Sequence, residues 1–132
     1  MPFFIGGDIL KNLVFDMGNV LIEWNSEKIL KAITDDIHLQ DLLRKEVFKT
    51  GLWVETDAGV KTREEVIEIV TAKLGKEYRN EITQLLRYWY KYVDVFTKVQ
   101  DRIIGLSKSG YNIYILSNAA NTFYDLVKEG LL

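Results

Sequence analysis

Residues 12–24 read "NLVFDMGNVLIEW". Apolar, β-prone Leu13, Val14 and Phe15 run into one carboxylate, Asp16, and Met17-Gly18-Asn19 follows. A short apolar run bounded by a turn is the pattern of a buried strand. Core packing does not call for an aspartate at its end. Binding does, because open α/β sheets take ligands at the carboxyl ends of their parallel strands. Gly18 is expected to let the backbone turn sharply and come close to a bound group. The backbone amides of the turn, those of Met17 and Gly18, can face an anion. The stretch therefore predicts an aspartate presented to a phosphate-like group.

A second stretch repeats this logic. Residues 111–121, "YNIYILSNAAN", end a β-prone run at Ser117-Asn118. A hydroxyl and an amide at a strand terminus can donate hydrogen bonds to a phosphoryl oxygen. The start of the next helix adds a favourable dipole. Between the two stretches the pattern is helical. "NSEKILKAI" carries capping residues and places Ile29, Leu30 and Ile33 on one face. "LQDLLRKEVFK" predicts a second helix stopped by Gly51. Thr62 and Glu65 form a capping box for a helix with Val66, Ile69, Val70 and Leu74 as its apolar stripe. "YRNEITQLLRYWYKYVDVF" reads as one long aromatic-rich helix, in which Tyr88, Trp89, Tyr92 and Phe96 suit packing. Thr97 and Gln100 suggest another capping box, and Thr122 a cap for the last helix, "FYDLVKE". The helix at 97–108 followed by the strand at 111–117 belongs to an α/β layer.

Composition narrows the chemistry. The 132 residues are 48% hydrophobic and 27% charged with a net charge of −2, a globular balance without a basic field for nucleic acid or anionic lipid. There is no cysteine, which excludes disulfides, thiol catalysis and zinc–thiolate sites. His38 is the single histidine and reads as a solvated residue between helices. No apolar run approaches a membrane span, and the first ten residues make a poor signal peptide. These features favour the cytoplasm.

With both stretches in view, the chain resembles the haloacid dehalogenase-like hydrolase superfamily. "LVFDMGNVLIEW" is similar to its motif one, "IYILSNAAN" to its motif two, and the intervening helices to its helical cap. "GLWVETDAGVKTREE" adds to the likeness. The nearest branch has an Asp-x-Gly-Asn-Val motif and includes sugar-phosphate phosphatases. The resemblance runs from about Lys11 onward. It implies an α/β fold, mostly helical by residue count: a partial Rossmann-like parallel sheet with an inserted α-helical cap. Residues 1–24 would be the first core segment, 25–95 the cap and 96–132 the second core segment.

The resemblance also implies a magnesium-dependent phosphatase acting on a small phosphorylated metabolite. Asp16 would be the nucleophile, forming an aspartyl-phosphate. The Asp16 carboxylate and the Gly18 carbonyl would bind Mg²⁺. Ser117, Asn118 and the amides of Met17 and Gly18 would hold the phosphoryl group. Glu23 and Trp24, after motif one, would contact substrate. Trp53 and Asp57 of the cap are weaker candidates for the same role.

Two departures stand out. Many family phosphatases carry a second aspartate two residues after the nucleophile. Here that position is Gly18, as in the resembling branch. The family's motif-three lysine and motif-four acidic residues normally lie well beyond motif two, and Lys128 is misplaced to serve. The expectation is thus a chain incomplete after motif two, with an exposed sheet edge that favours a homodimer or strand swap, unless "FFIGG" folds back over it. The alternative readings are a 2-haloacid dehalogenase-type hydrolase and a catalytically inactive fragment with a structural role.

Overall fold

The computed structural model describes residues 4–5, 8–9, 11–117 and 120–132. The chain divides into two compact units, one of residues 1–24, 94–117 and 132, the other of 25–93 and 118–131.

The first unit holds the strands. β1 (Phe4–Ile5) pairs antiparallel with β2 (Asp8–Ile9) in a small sheet of its own. β3 (Asn12–Phe15) pairs in parallel with β4 (Asn112–Ile115), in register from Asn12↔Asn112 to Phe15↔Ile115. Of "FFIGG", Phe4 and Ile5 pair with β2 in a sheet separate from that of β3 and β4, and the other three residues lie outside the described ones. A helix, Thr97–Lys108, leads into β4 and packs on it. Between β3 and that helix the chain folds back on itself. Gly18 bridges Ile22 and Ile22 bridges Val95, while the Phe96 amide donates to the Leu21 carbonyl at 2.9 Å. Among the described residues of this unit, Met17, Leu21, Ile22 and Tyr111 are the buried apolar ones. β3 was expected to be buried, yet it alternates between exposed and half-buried positions. Among the described residues the sheet has two strands, so one face keeps Val14 and Tyr114 open to water.

The second unit is a helical block. Numbered in chain order, its helices are α1 (Ser26–Ile33), α2 (Ile37–Leu43), α3 (Leu52–Asp57), α4 (Arg63–Leu74), α5 (Arg79–Arg87) and α7 (Ala120–Lys128). Thr97–Lys108 of the strand unit is α6. Ile29, Leu30, Ile82, Leu85 and Leu86 are fully enclosed, so burial of one face stabilises each short helix more than its own propensity does. Asn25 caps α1 by accepting from the Lys28 amide at 3.2 Å, and Thr62 caps α4 by accepting from the Glu65 amide at 3.1 Å.

Several local expectations are corrected. The second predicted helix splits into α2 and a wider π turn, Arg44–Lys49, which keeps Val47 enclosed. The long aromatic helix ends at Arg87, and a 3₁₀ turn at Trp89–Tyr92 follows. That turn takes Trp89 out of contact with water, with its Nε1 donating to Asp125 Oδ2 at 3.2 Å. A buried indole needs such an acceptor, and this tertiary demand overrides helical continuation. On α4 the enclosed residues are Val66, Ile67, Val70 and Thr71, whereas Ile69 is exposed. Thr97 lies inside α6, whose N-cap is Phe96 without a side-chain bond. Thr122 also lies inside its helix, where it donates to Asp57 instead of capping.

Overall this is an α/β chain, mostly helical, consistent with a partial Rossmann-like core plus helices. No described helix is long and apolar enough to cross a membrane.

Candidate active site at the carboxyl ends of the paired strands

Because β3 and β4 are parallel and in register at Phe15↔Ile115, the residues that follow them leave the sheet from the same end. The Leu116 amide donates to the Phe15 carbonyl at 2.9 Å and carries the pairing one step further. Asp16 leaves one strand at that end, and Ser117 leaves the other two residues beyond Ile115. Strand ladders thus hold both groups at the edge where α/β sheets present binding groups.

Asp16 is exposed, and its Oδ1 accepts from the Met17 amide at 2.7 Å. In this conformation the Met17 amide, a sequence candidate for phosphate, is engaged by the neighbouring carboxylate. The Met17 side chain is buried, and its carbonyl accepts from the amides of Val20, Leu21 and Ile22 at 3.2, 2.8 and 3.3 Å. Those bonds curl the chain directly after Asp16.

Sequence reasoning assigned the sharp turn to Gly18. The structure places the left-handed residue one position later, at Asn19, with φ 58°. Asparagine tolerates this region better than most side chains, which was the available signal. Its Oδ1 also accepts from the Trp24 amide at 3.0 Å, and its own amide donates to the Ile22 carbonyl at 2.7 Å. Asn19 therefore clamps the loop that carries Glu23 and Trp24. Both of these are half-buried, and the Glu23 amide donates to the Asp94 carbonyl at 2.8 Å. A Cβ built on Gly18 meets nothing within 4 Å. No tight protein packing therefore demands a glycine at this position.

Ser117 is half-buried in the same unit, and Asn118 lies outside the described residues. Among the described residues no three acidic, histidine or cysteine side chains converge as a metal-holding group. The oxygen donors available near the turn are the Asp16 carboxylate and backbone carbonyls such as that of Gly18. This is a partial set, chemically suited to magnesium, which binds through one or two carboxylates and keeps water and substrate oxygens as its other ligands.

Trp53 and Asp57 lie enclosed in the helical block, at 5% and 9% exposure, which leaves little of either for a substrate. Trp53 meets Trp89 edge-on at 6.0 Å and Phe48 at 5.5 Å. Burial pushes the Asp57 carboxyl above the ordinary aspartate range, against the opposing pull of Thr122 and Arg63. His38 is exposed on α2. Tyr92 donates to Gln84 at 2.9 Å, and Lys91 lies over the Tyr88 ring at 4.6 Å.

No family model matches the chain, and no solved structure matches it. Among curated proteins it is similar to D-ribitol-5-phosphate phosphatase of Bacteroides thetaiotaomicron, at 30% identity over 112 residues. The match takes in 83% of this chain and 53% of that protein, so the chain spans about half the length of the relative.

Proposed function

We propose that the chain carries the nucleophile-bearing part of a haloacid dehalogenase-like phosphatase site that acts on a small phosphorylated metabolite. One observation carries the reading: an exposed aspartate and a serine leave the same end of two parallel strands in register. The similarity to a phosphatase of a sugar-alcohol phosphate supports the same substrate class.

In this reading an Asp16 carboxylate oxygen attacks phosphorus, and the bond from phosphorus to the substrate oxygen breaks. The resulting aspartyl-phosphate is hydrolysed by water, which releases inorganic phosphate and restores Asp16. Ser117 and Asn118 would donate to the phosphoryl oxygens. The amide of Gly18 would join them, as would that of Met17 once it leaves Asp16. Mg²⁺, held by the Asp16 carboxylate and the Gly18 carbonyl, would supply charge neutralisation during transfer. Gly18 offers no acid to the leaving group, so water would protonate it. The Asn19 clamp would set Glu23 and Trp24 toward substrate. Residues 25–95 would act as the inserted cap of a partial Rossmann-like core.

The same reading includes self-association. Val14, Tyr114 and Leu116 share a sheet face and are 60%, 54% and 72% exposed. Parallel sheets are ordinarily covered on both faces, and a second copy would cover this one.

The test is phosphate release from D-ribitol 5-phosphate and related polyol and sugar phosphates, with and without Mg²⁺. Native chain should release phosphate only with the metal, and Asp16→Asn should lower the rate by at least about a thousandfold with an unchanged circular dichroism spectrum. Release that survives the substitution, or none from the native chain, overturns the assignment. Halide release from a 2-haloacid would shift it to the dehalogenase branch.

A further inference from the structure

Within the strand unit, α6 packs on β4 and leaves its outer side to water. Val99, Ile103 and Leu106 on one side of the helix are half-buried. On the other side Asp101, Ile104, Gly105 and Lys108 are all exposed, Ile104 to 51%. Steps of three and four residues put Asp101, Ile104 and Lys108 in one stripe, with Gly105 beside Ile104.

Three features of this stripe call for a partner. Ile104 presents a large apolar side chain to water. Gly105 has open space where a Cβ would sit, so another helix can approach closely there. Asp101 and Lys108 stand about 10 Å apart along the helix, too far to pair with each other. Among the described residues neither forms an ion pair.

These features are also symmetric. The midpoint between Ile104 and Gly105 is the midpoint between Asp101 and Lys108. A twofold axis through that level, perpendicular to the helix, lays a second α6 antiparallel on the first. Each Ile104 then meets its own copy, as does each Gly105, and each Asp101 faces Lys108 of the other chain. The same patch supplies both halves of the contact, as an isologous interface requires. A parallel pairing would set Asp101 against Asp101.

We propose that the outer face of α6 is a docking surface for a second copy of this chain, through antiparallel α6–α6 packing. One 12-residue helix from each chain, with exposed ion pairs, suits a weak and reversible dimer. This surface is separate from the sheet face of Val14, Tyr114 and Leu116, and it does not depend on the phosphatase reading.

The chain has no cysteine, so one introduced thiol reports the contact without interference. Full chain carrying Ile104→Cys is treated with a short bismaleimide, beside Ile37→Cys as a control at another exposed isoleucine. Ile104→Cys should give covalent dimer at least about tenfold faster than the control, because the contact holds the two thiols together. Adding Asp101→Lys sets like charges opposite each other twice and should return the rate to that of the control. Adding Lys108→Glu as well inverts both pairs and should restore fast cross-linking, more fully in low salt than in high. Circular dichroism checks that each variant folds. Sedimentation without any added cysteine is the second measure: the native dimer should dissociate in Asp101→Lys and return in the double exchange.

Cross-linking no faster than at Ile37, a rate indifferent to Asp101→Lys, or no recovery in the double exchange overturns the contact. A dimer that Leu116→Lys abolishes and Asp101→Lys leaves intact belongs to the sheet face, and it overturns the proposal as well.

Discussion

At the scale of single residues, Asn19 and Asp57 each carry a demand that can be measured. Asn19 holds a left-handed backbone and accepts from the Trp24 amide. Asn19→Val should destabilise the chain by about 1–2 kcal/mol in urea unfolding, because a β-branched side chain resists that backbone region. Asn19→Gly removes only the acceptor and should cost less. Equal costs would show that the bond, not the backbone, matters.

Burial raises the Asp57 carboxyl, so the folded state keeps a proton that the unfolded chain gives up. Its contribution to stability is full below the ordinary aspartate value, about 3.9, and is lost as pH rises through the raised folded value. Glu27 behaves in the opposite sense. The hydrogen bond from Arg44 holds it below the ordinary range, so its contribution is present above that range and fades on acidification. Asp57→Asn should remove the first dependence. Native stability minus variant stability should then be larger near about pH 4 than near about pH 7. A difference that stays constant between the two would contradict this account.

At the scale of elements, α6 stands apart because none of its residues is buried. Its stability rests more on helix propensity than that of a packed helix. Gly105 lies in its interior, with open space where a Cβ would sit. Gly105→Ala should therefore stabilise the chain by about 0.5–1 kcal/mol, read as a higher urea midpoint. No gain would mean that α6 is held by something other than its own backbone preference.

Helix starts with a side chain able to accept from the first turn were readable in advance, as at Asn25 and Thr62. Thr97 and Thr122 show where such reading stops. Both precede suitable sequences, but one lies inside α6 and the other donates to Asp57. The residue three positions on cannot reveal that a distant carboxylate will compete for the hydroxyl. The aromatic run likewise looks helical until Trp89 needs Asp125, 36 positions away.

At the scale of the whole molecule, the two units differ in how much apolar surface they enclose. Among the described residues, Met17, Leu21, Ile22 and Tyr111 serve the strand unit, while the other buried apolar side chains belong to the helical block. Amides of β3 and β4 should exchange faster than those of α4 and α5, because local stability follows buried contacts. Comparable protection in both would show that the strand unit is covered in solution. Light scattering checks that cover directly. Leu116→Lys should shift any dimer toward monomer by placing a charge on the exposed face, whereas an unchanged mass would remove this face from the contact.

The sequence by itself determined where the two paired strands and most of the helices stand in the chain. Strand ends shortly before Asp16 and Ser117, helix caps and apolar stripes are local patterns, written within a few residues of one another. Only the tertiary structure decided that the left-handed residue is Asn19, that Asp16 engages the Met17 amide, and that Asp57 and Trp53 are enclosed around Arg63. These outcomes depend on competition among groups brought together by folding. A side chain's burial, and the partner that wins its hydrogen bond, are set by neighbours tens of residues away and not by the residues beside it.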